Sequence, residues 1–225
     1  MLALWRTTIG KKTVMAVTGL VLAGFVLSHM AGNLKLYFGR EKYNAYAEFL
    51  REMGAPLLPH SVALWGMRLV LLGALALHLV AAVDLARSSV AGRPTKYTFK
   101  RNAAQGYAAF AMRATGVVVL LFAIFHLLHL TWGKVGLGGH AFDPKDVYQN
   151  VVNGFSQPLV AGFYIVSQLV LGVHLNHGIW SLFQTLGIHR RASERCFRRA
   201  ALGFTVLVCG GNISFPIAVL TGWVK

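Results

Sequence analysis

Six of the nine histidines in this 225-residue chain lie inside long apolar runs: His29, His78, His126, His129, His174 and His177. An imidazole without a partner in hydrocarbon costs several kcal/mol, so such groups face a bundle interior and find something to bind. Four successive runs each carry at least one, a pattern that points to ligand chemistry. The plainer alternative is hydrogen bonding between helices. Bis-imidazole ligation of haem iron in a helical bundle is one chemistry that suits these residues. Zinc is the competing one, because His126–His129 and His174–His177 stand at helical i, i+3 spacing. Zinc sites usually gather three or four ligands at one depth, often with a carboxylate, and no carboxylate lies at that depth. The two cysteines, Cys196 and Cys209, belong to no CxxC or CxxCH pattern. A disulfide framework, a Cys-ligated zinc site and covalent haem attachment are therefore unsupported.

The elements that carry these histidines follow from composition. Hydrophobic residues make up 56% of the chain and charged residues 13%, about half the charged share of an average domain. The mean hydropathy is +0.56. Disorder is excluded and a soluble enzyme is disfavoured. A helix crossing the hydrocarbon core needs about 20 mostly apolar residues. Five segments qualify, at about 13–36, 61–86, 106–132, 158–186 and 200–222. The first begins after Lys12 and runs too long for a cleavable signal peptide, so it reads as a retained span. The expected fold is an all-α membrane protein with five transmembrane helices and a four-helix haem-binding bundle, in one domain over 1–225. No internal repeat is clear.

The formal net charge of +15 raises the question of nucleic acid, but the charges sit elsewhere. Thirteen of the 22 Lys and Arg residues fall in the N-terminus (Arg6, Lys11, Lys12) and two loops. The loops hold Arg87, Arg93, Lys96, Lys100 and Arg101, and Arg190, Arg191, Arg195, Arg198 and Arg199. Segments 37–60 and 133–157 mix both signs. The positive-inside rule places the N-terminus in the cytoplasm and the C-terminus outside. The basic face becomes a platform for a soluble partner, with no nucleic acid. Residues 39–52 carry aromatics near i, i+3 spacing and suit a short interfacial helix. The Gly-rich then polar 133–157 stretch suits a cover over the outer face.

Depth then sorts the histidines. At 1.5 Å per residue, His29 lies ~25 Å beyond Lys11–Lys12 and His126 ~20 Å beyond Arg113, both toward the outer leaflet. His78 lies ~14 Å before Arg87 and His174 ~24 Å past Pro158, both toward the inner leaflet. The expectation is an outer pair, His29 with His126, and an inner pair, His78 with His174. His174, His177, Ser181 and Gln184 form one polar stripe, suited to propionate or quinone contacts or to an interior seam. Phe25, His29 and Asn33 form a similar stripe. Gly24, Gly73, Gly116 and Gly172 suit close helix packing or approach of a macrocycle. Arg113 and Arg68 stand near helix ends, where they either snorkel or pair with propionates. Asp84 is expected to pair with Arg87.

Four segments carry a family resemblance: FVLSHMAGNLKLYFG, LLGALALHLVAAVDLA, MRATGVVVLLFAIFHLLHLTW and GFYIVSQLVLGVHLNHGIWSLFQTLG. The chain resembles the membrane-anchor cytochrome b subunit of succinate dehydrogenase and fumarate reductase, in its five-helix, two-haem class. The resemblance implies two haem b groups with axial ligands His29 and His126 (outer) and His78 and His174 (inner). It selects His126 over His129 and His174 over His177. It also implies a flavoprotein with FAD and an iron–sulfur subunit on the cytoplasmic face of the cell inner membrane. Their electrons would pass to menaquinone or another quinone in the lipid, with the succinate/fumarate site on a partner. An acidic residue near the outer haem is implied as proton carrier, for which Glu52 and the nearby His60 are candidates. The alternative is the cytochrome b subunit of a different respiratory dehydrogenase.

Overall fold

The computed structural model describes Trp5 and residues 7–91, 103–136, 138–188 and 191–225. Arg6, Arg93, Lys96, Lys100, Arg101 and Arg190 of the basic segments lie outside the described residues. The described residues form seven α-helices and no strand. These are α1 (Thr8–Asn33), α2 (Arg40–Glu52), α3 (Val62–Ala91), α4 (Ala103–His126), α5 (Val147–Phe155), α6 (Pro158–Thr185) and α7 (Glu194–Leu220). Five segments are long and apolar enough to cross a membrane: Thr8–Phe38, Val62–Ser89, Phe110–Thr131, Pro158–Thr185 and Glu194–Leu220. The protein is a multi-pass helical membrane bundle.

Each end of a span has a local cause. Thr7 caps α1, its Oγ1 accepting from the Gly10 amide at 3.0 Å, and Pro158 starts α6 where a missing N–H costs nothing. Several helices outrun the apolar segments that define them. α3 has 30 residues, or about 45 Å of helix against about 30 Å of hydrocarbon. Its surplus turns extend into the basic end, where Asp84 pairs with Lys11 of α1 at 3.4 Å. That corrects the expected Asp84–Arg87 pair: the neighbour across the helix interface supplies the cation. Trp65, Trp132 and Trp223 are exposed at the opposite end, each at or just beyond a span terminus. Trp and Tyr favour that interfacial level.

The spans pack as two antiparallel pairs, α1 with α3 and α4 with α6, joined along α1 and α6. α7 lies outside these pairs against α6 and α1. Small residues permit the close contacts. A Cβ on Gly172 would meet Cys209 Sγ at 3.3 Å and Thr205 at 3.4 Å. Met30 of α1 occupies the space a side chain at Gly211 would need. By contrast α3 and α4 do not pack closely on each other. The most apolar stretches of α3 and α4 have 6% of their residues buried, against 33% and 39% in α6 and α7. The two pairs therefore leave an open seam between them.

The non-basic end is closed by a cap built from α2, α5 and the 133–146 segment. Leu36, Tyr43, Tyr148, Val151, Val152 and Phe155 bury against Phe122, Tyr164, Phe215 and Val219 of the spans. Asp146 holds the cap together. It is the N-cap of α5, accepting from the Gln149 amide at 3.2 Å, from Asn44 Nδ2 at 2.8 Å and from the Arg40 guanidinium. Burial alone would raise its carboxyl, but the bonds from Asn44, Arg40 and Gln149 hold it below the usual aspartate range. The interfacial helix expected at 39–52 is α2, and the 133–157 stretch does cover this face.

Candidate functional site

The bundle brings His29 and His126 together and sets His78 and His174 on facing elements of the two helix pairs. His29 of α1 and His126 of α4 face each other with ring centroids 5.8 Å apart and planes at 85°. His78 of α3 and His174 of α6 occupy matching surroundings, each Nδ1 facing a threonine hydroxyl of the neighbouring helix at 3.2 Å. A metal about 2 Å from each of two imidazole nitrogens sets the ring centres roughly 6 Å apart, close to the spacing of the first pair. Among the described residues no three His, Cys, Asp or Glu groups converge. The arrangement offers paired donors at two levels, which suits axial ligation and not a zinc cluster.

The first pair is set by aromatic neighbours. Phe25 stacks on His29 at 5.4 Å and 24°, and Phe122 leans on His126 at 5.9 Å. Tyr164 of α6 places its hydroxyl 3.2 Å from His126 Nδ1 and 2.8 Å from His129 Nδ1. A π turn over Leu127–Thr131 keeps His129 facing inward beside His126. His129 is fully buried and leaves no room for a ligand of its own: a Cβ on Gly154 would stand 2.4 Å from its Nε2. Asn33, third in the stripe with Phe25 and His29, accepts from the Tyr43 hydroxyl at 2.9 Å and belongs to the cap.

The second pair is set by a threonine and a glycine on the facing helix. His78 Nδ1 lies 3.2 Å from Thr18 Oγ1 and 3.2 Å from the Met15 carbonyl. A Cβ on Gly19 would sit 3.3 Å from its ring. His174 Nδ1 lies 3.2 Å from Thr115 Oγ1, and a Cβ on Gly116 would sit 3.4 Å from its ring. The two environments match because the sequence repeats. Met15, Thr18, Gly19, Phe25 and His29 have the spacing of Met112, Thr115, Gly116, Phe122 and His126. This corrects the expectation of no clear repeat: the shared positions are few and separated by varied apolar residues. Thr18, Gly19, Thr115 and Tyr164 were missed as site residues, Gly116 being among the glycines expected to suit close packing or a macrocycle, and the repeated M-x-x-T-G-x5-F-x3-H pattern is the signal that finds the two threonines and Gly19. Eleven residues make three helical turns, so each Thr and its His share a face about 16 Å apart along the axis. Of the other glycines, Gly24 and Gly73 have nothing close.

The remaining candidates are scattered. Arg113 and Arg87 line a recess with Ala86 and Ala91 at the basic end of the seam. Arg68 stacks over Trp65 at 4.9 Å on the exposed surface. His177 and Ser181 are half-buried on α6 and Gln184 is exposed. His177 feels Arg198, whose guanidinium lies 4.2 Å over Trp180. Glu52 is exposed at the end of α2. His60 faces Glu48 at 3.3 Å, and bonds from Arg51 and then His60 hold the Glu48 carboxyl below its usual range. Glu48, one turn earlier on α2, is thus the carboxylate that meets His60.

Fold and site define a class: a five-span helical membrane protein with four histidines paired at two depths. In sequence the chain is similar to the succinate dehydrogenase cytochrome b558 subunit of Bacillus subtilis (strain 168). The two are 27% identical over 164 residues, covering 73% of this chain and 72% of the relative. No protein-family model matches the chain, and no solved structure matches it significantly.

Proposed function

We propose that the chain is the two-haem cytochrome b anchor of a succinate:quinone oxidoreductase in the cell inner membrane. The observation that carries this is the pairing of four span histidines at two levels in a helical bundle. The similarity to a succinate dehydrogenase cytochrome b558 subunit supports it. His29 with His126 and His78 with His174 are the proposed axial ligands. The donor set fits: paired imidazoles, glycines where two rings meet the facing helix, and an open seam between the helix pairs. When bound, haem supplies one-electron transfer at two depths, so that electrons cross between the basic face and the cap.

The residues of the chain do the positioning. Phe25 and Phe122 limit rotation of the outer imidazoles, and Tyr164 bonds His126. The basic end, with Arg87, Arg113, Arg195, Arg198 and Arg199, receives an iron–sulfur subunit carrying electrons from a flavoprotein with FAD. Arg113 and Arg68 are proposed propionate contacts at the two levels. His177, Ser181 and Gln184 are proposed quinone or propionate contacts on the inner side. Glu52 and His60 are proposed to carry protons to menaquinone or another quinone at the cap, where His60 shares its bond with Glu48. The test is purification from membranes under mild detergent. A flavoprotein with covalent FAD and an iron–sulfur protein are expected to come with the chain. Isolation with a different oxidoreductase contradicts the assignment.

A further inference from the structure

Met15 carbonyl oxygen can only accept a hydrogen bond. It lies 3.2 Å from His78 Nδ1, so that nitrogen carries the proton. Thr18 donates its own hydroxyl to the Val14 carbonyl at 2.7 Å, which leaves an oxygen lone pair to accept from His78 at 3.2 Å. The same logic holds one repeat later. Thr115 donates to the Ala111 carbonyl at 2.7 Å and faces His174 Nδ1 at 3.2 Å, so its oxygen lone pair accepts from that nitrogen. In both cases Nε2 keeps its lone pair. The outer pair is built otherwise: His126 shares the Tyr164 hydroxyl with His129, and His29 is stacked by Phe25.

We propose that Thr18 and Thr115 are positioning residues for the inner pair, fixing His78 and His174 as Nδ1–H tautomers with Nε2 presented to the iron. The proposal rests on reading that pair as haem ligands. A bonded Nδ1–H raises the basicity of a metal-bound imidazole and fixes its ring plane. The threonines therefore hold the inner haem at a lower potential than unanchored histidines would, and they act on that haem alone. Adjacent Gly19 and Gly116 complete the device by letting the Nδ1–Cε1 edge of each ring approach the helix that carries its acceptor.

The experiment is a redox titration with low-temperature EPR of the intact membrane complex carrying Thr18→Val, Thr115→Val and the matching Ser substitutions. The Val variants are expected to raise the inner-haem midpoint and shift its ferric low-spin signal, with the outer haem unchanged and Ser restoring both readings. Selective loss of the inner haem in Val, restored by Ser, has the same meaning. Val variants with wild-type potential and signal overturn the proposal, as does an equal change at both haems or a loss that Ser does not restore. A wild-type complex without haem instead overturns the functional reading beneath it.

Discussion

Tyr164 joins the buried His129 and the half-buried His126 with one hydroxyl. Replacing it with Phe keeps the ring contacts with Phe122, Phe155 and His126 but leaves the buried His129 Nδ1 without that partner. An unsatisfied buried polar group costs about 1–3 kcal/mol. Tyr164→Phe is therefore expected to lower the thermal midpoint of the purified protein and to shift the outer-haem signal more than the inner. An unchanged midpoint and signal would remove Tyr164 from the site. At the inner level, Gly19→Leu puts a branched side chain where His78 lies, with 3.3 Å available for Cβ alone. Loss of one haem from the spectrum is expected, with the other retained. These residues also show what was readable beforehand. Helical rise alone grouped the four histidines by depth, because a span admits few ionisable groups and each stands out. Tyr164, Thr18 and Thr115 do not stand out in apolar helices, where Thr commonly bonds its own backbone. Only the spacing that Thr18 and Thr115 share with a histidine three turns away marks them, and nothing in the sequence marks Tyr164.

At the scale of elements, the cap depends on Asp146 linking α2 to α5. Asp146→Ala removes a helix cap and two side-chain partners. The expected loss is about 2–3 kcal/mol from charge-assisted bonds and the cap, seen as faster proteolysis of the cap in detergent. The carboxyl is depressed in the folded state, so its contribution is present at neutral pH. It disappears as pH falls through the folded value, below the ordinary 3.8. Asp146→Asn should flatten this acid limb, and an acid limb unchanged in that variant would place the sensitive group elsewhere. The helix at 40–52 was legible because Tyr43, Tyr46 and Phe49 follow helical spacing. Helix α5 was not assigned, since nine residues after a Gly-rich stretch give little periodicity, and its partners Asn44 and Arg40 lie a hundred residues away. At the basic end the first, second and fifth spans reach farther than expected, to Thr8, Ser89 and Glu194, because helices continue into the headgroup region, where Arg195 and Arg198 are exposed.

For the whole molecule, hydropathy was enough to define five spans, and the basic residues define a face. The charge asymmetry predicts that a reporter fused after Lys225 is outside the cytoplasm, while one inserted between Ala91 and Ala103 is inside. The opposite result would invert the proposed electron path. The association of α1–α3 with α4–α6 was not legible, because apolar composition does not say which helices touch. The repeated Thr-Gly at one depth and Phe-His at another explains that association as two similar antiparallel units sharing paired imidazoles. The proposed function requires that the four span histidines hold two haems. Its most direct measurement is the haem-to-chain ratio of the purified complex, with His78→Ala alongside. Two haem b per chain are expected in the wild type, with His29 and His126 retaining one in the variant. A wild-type ratio of one or zero under ample haem supply would contradict it.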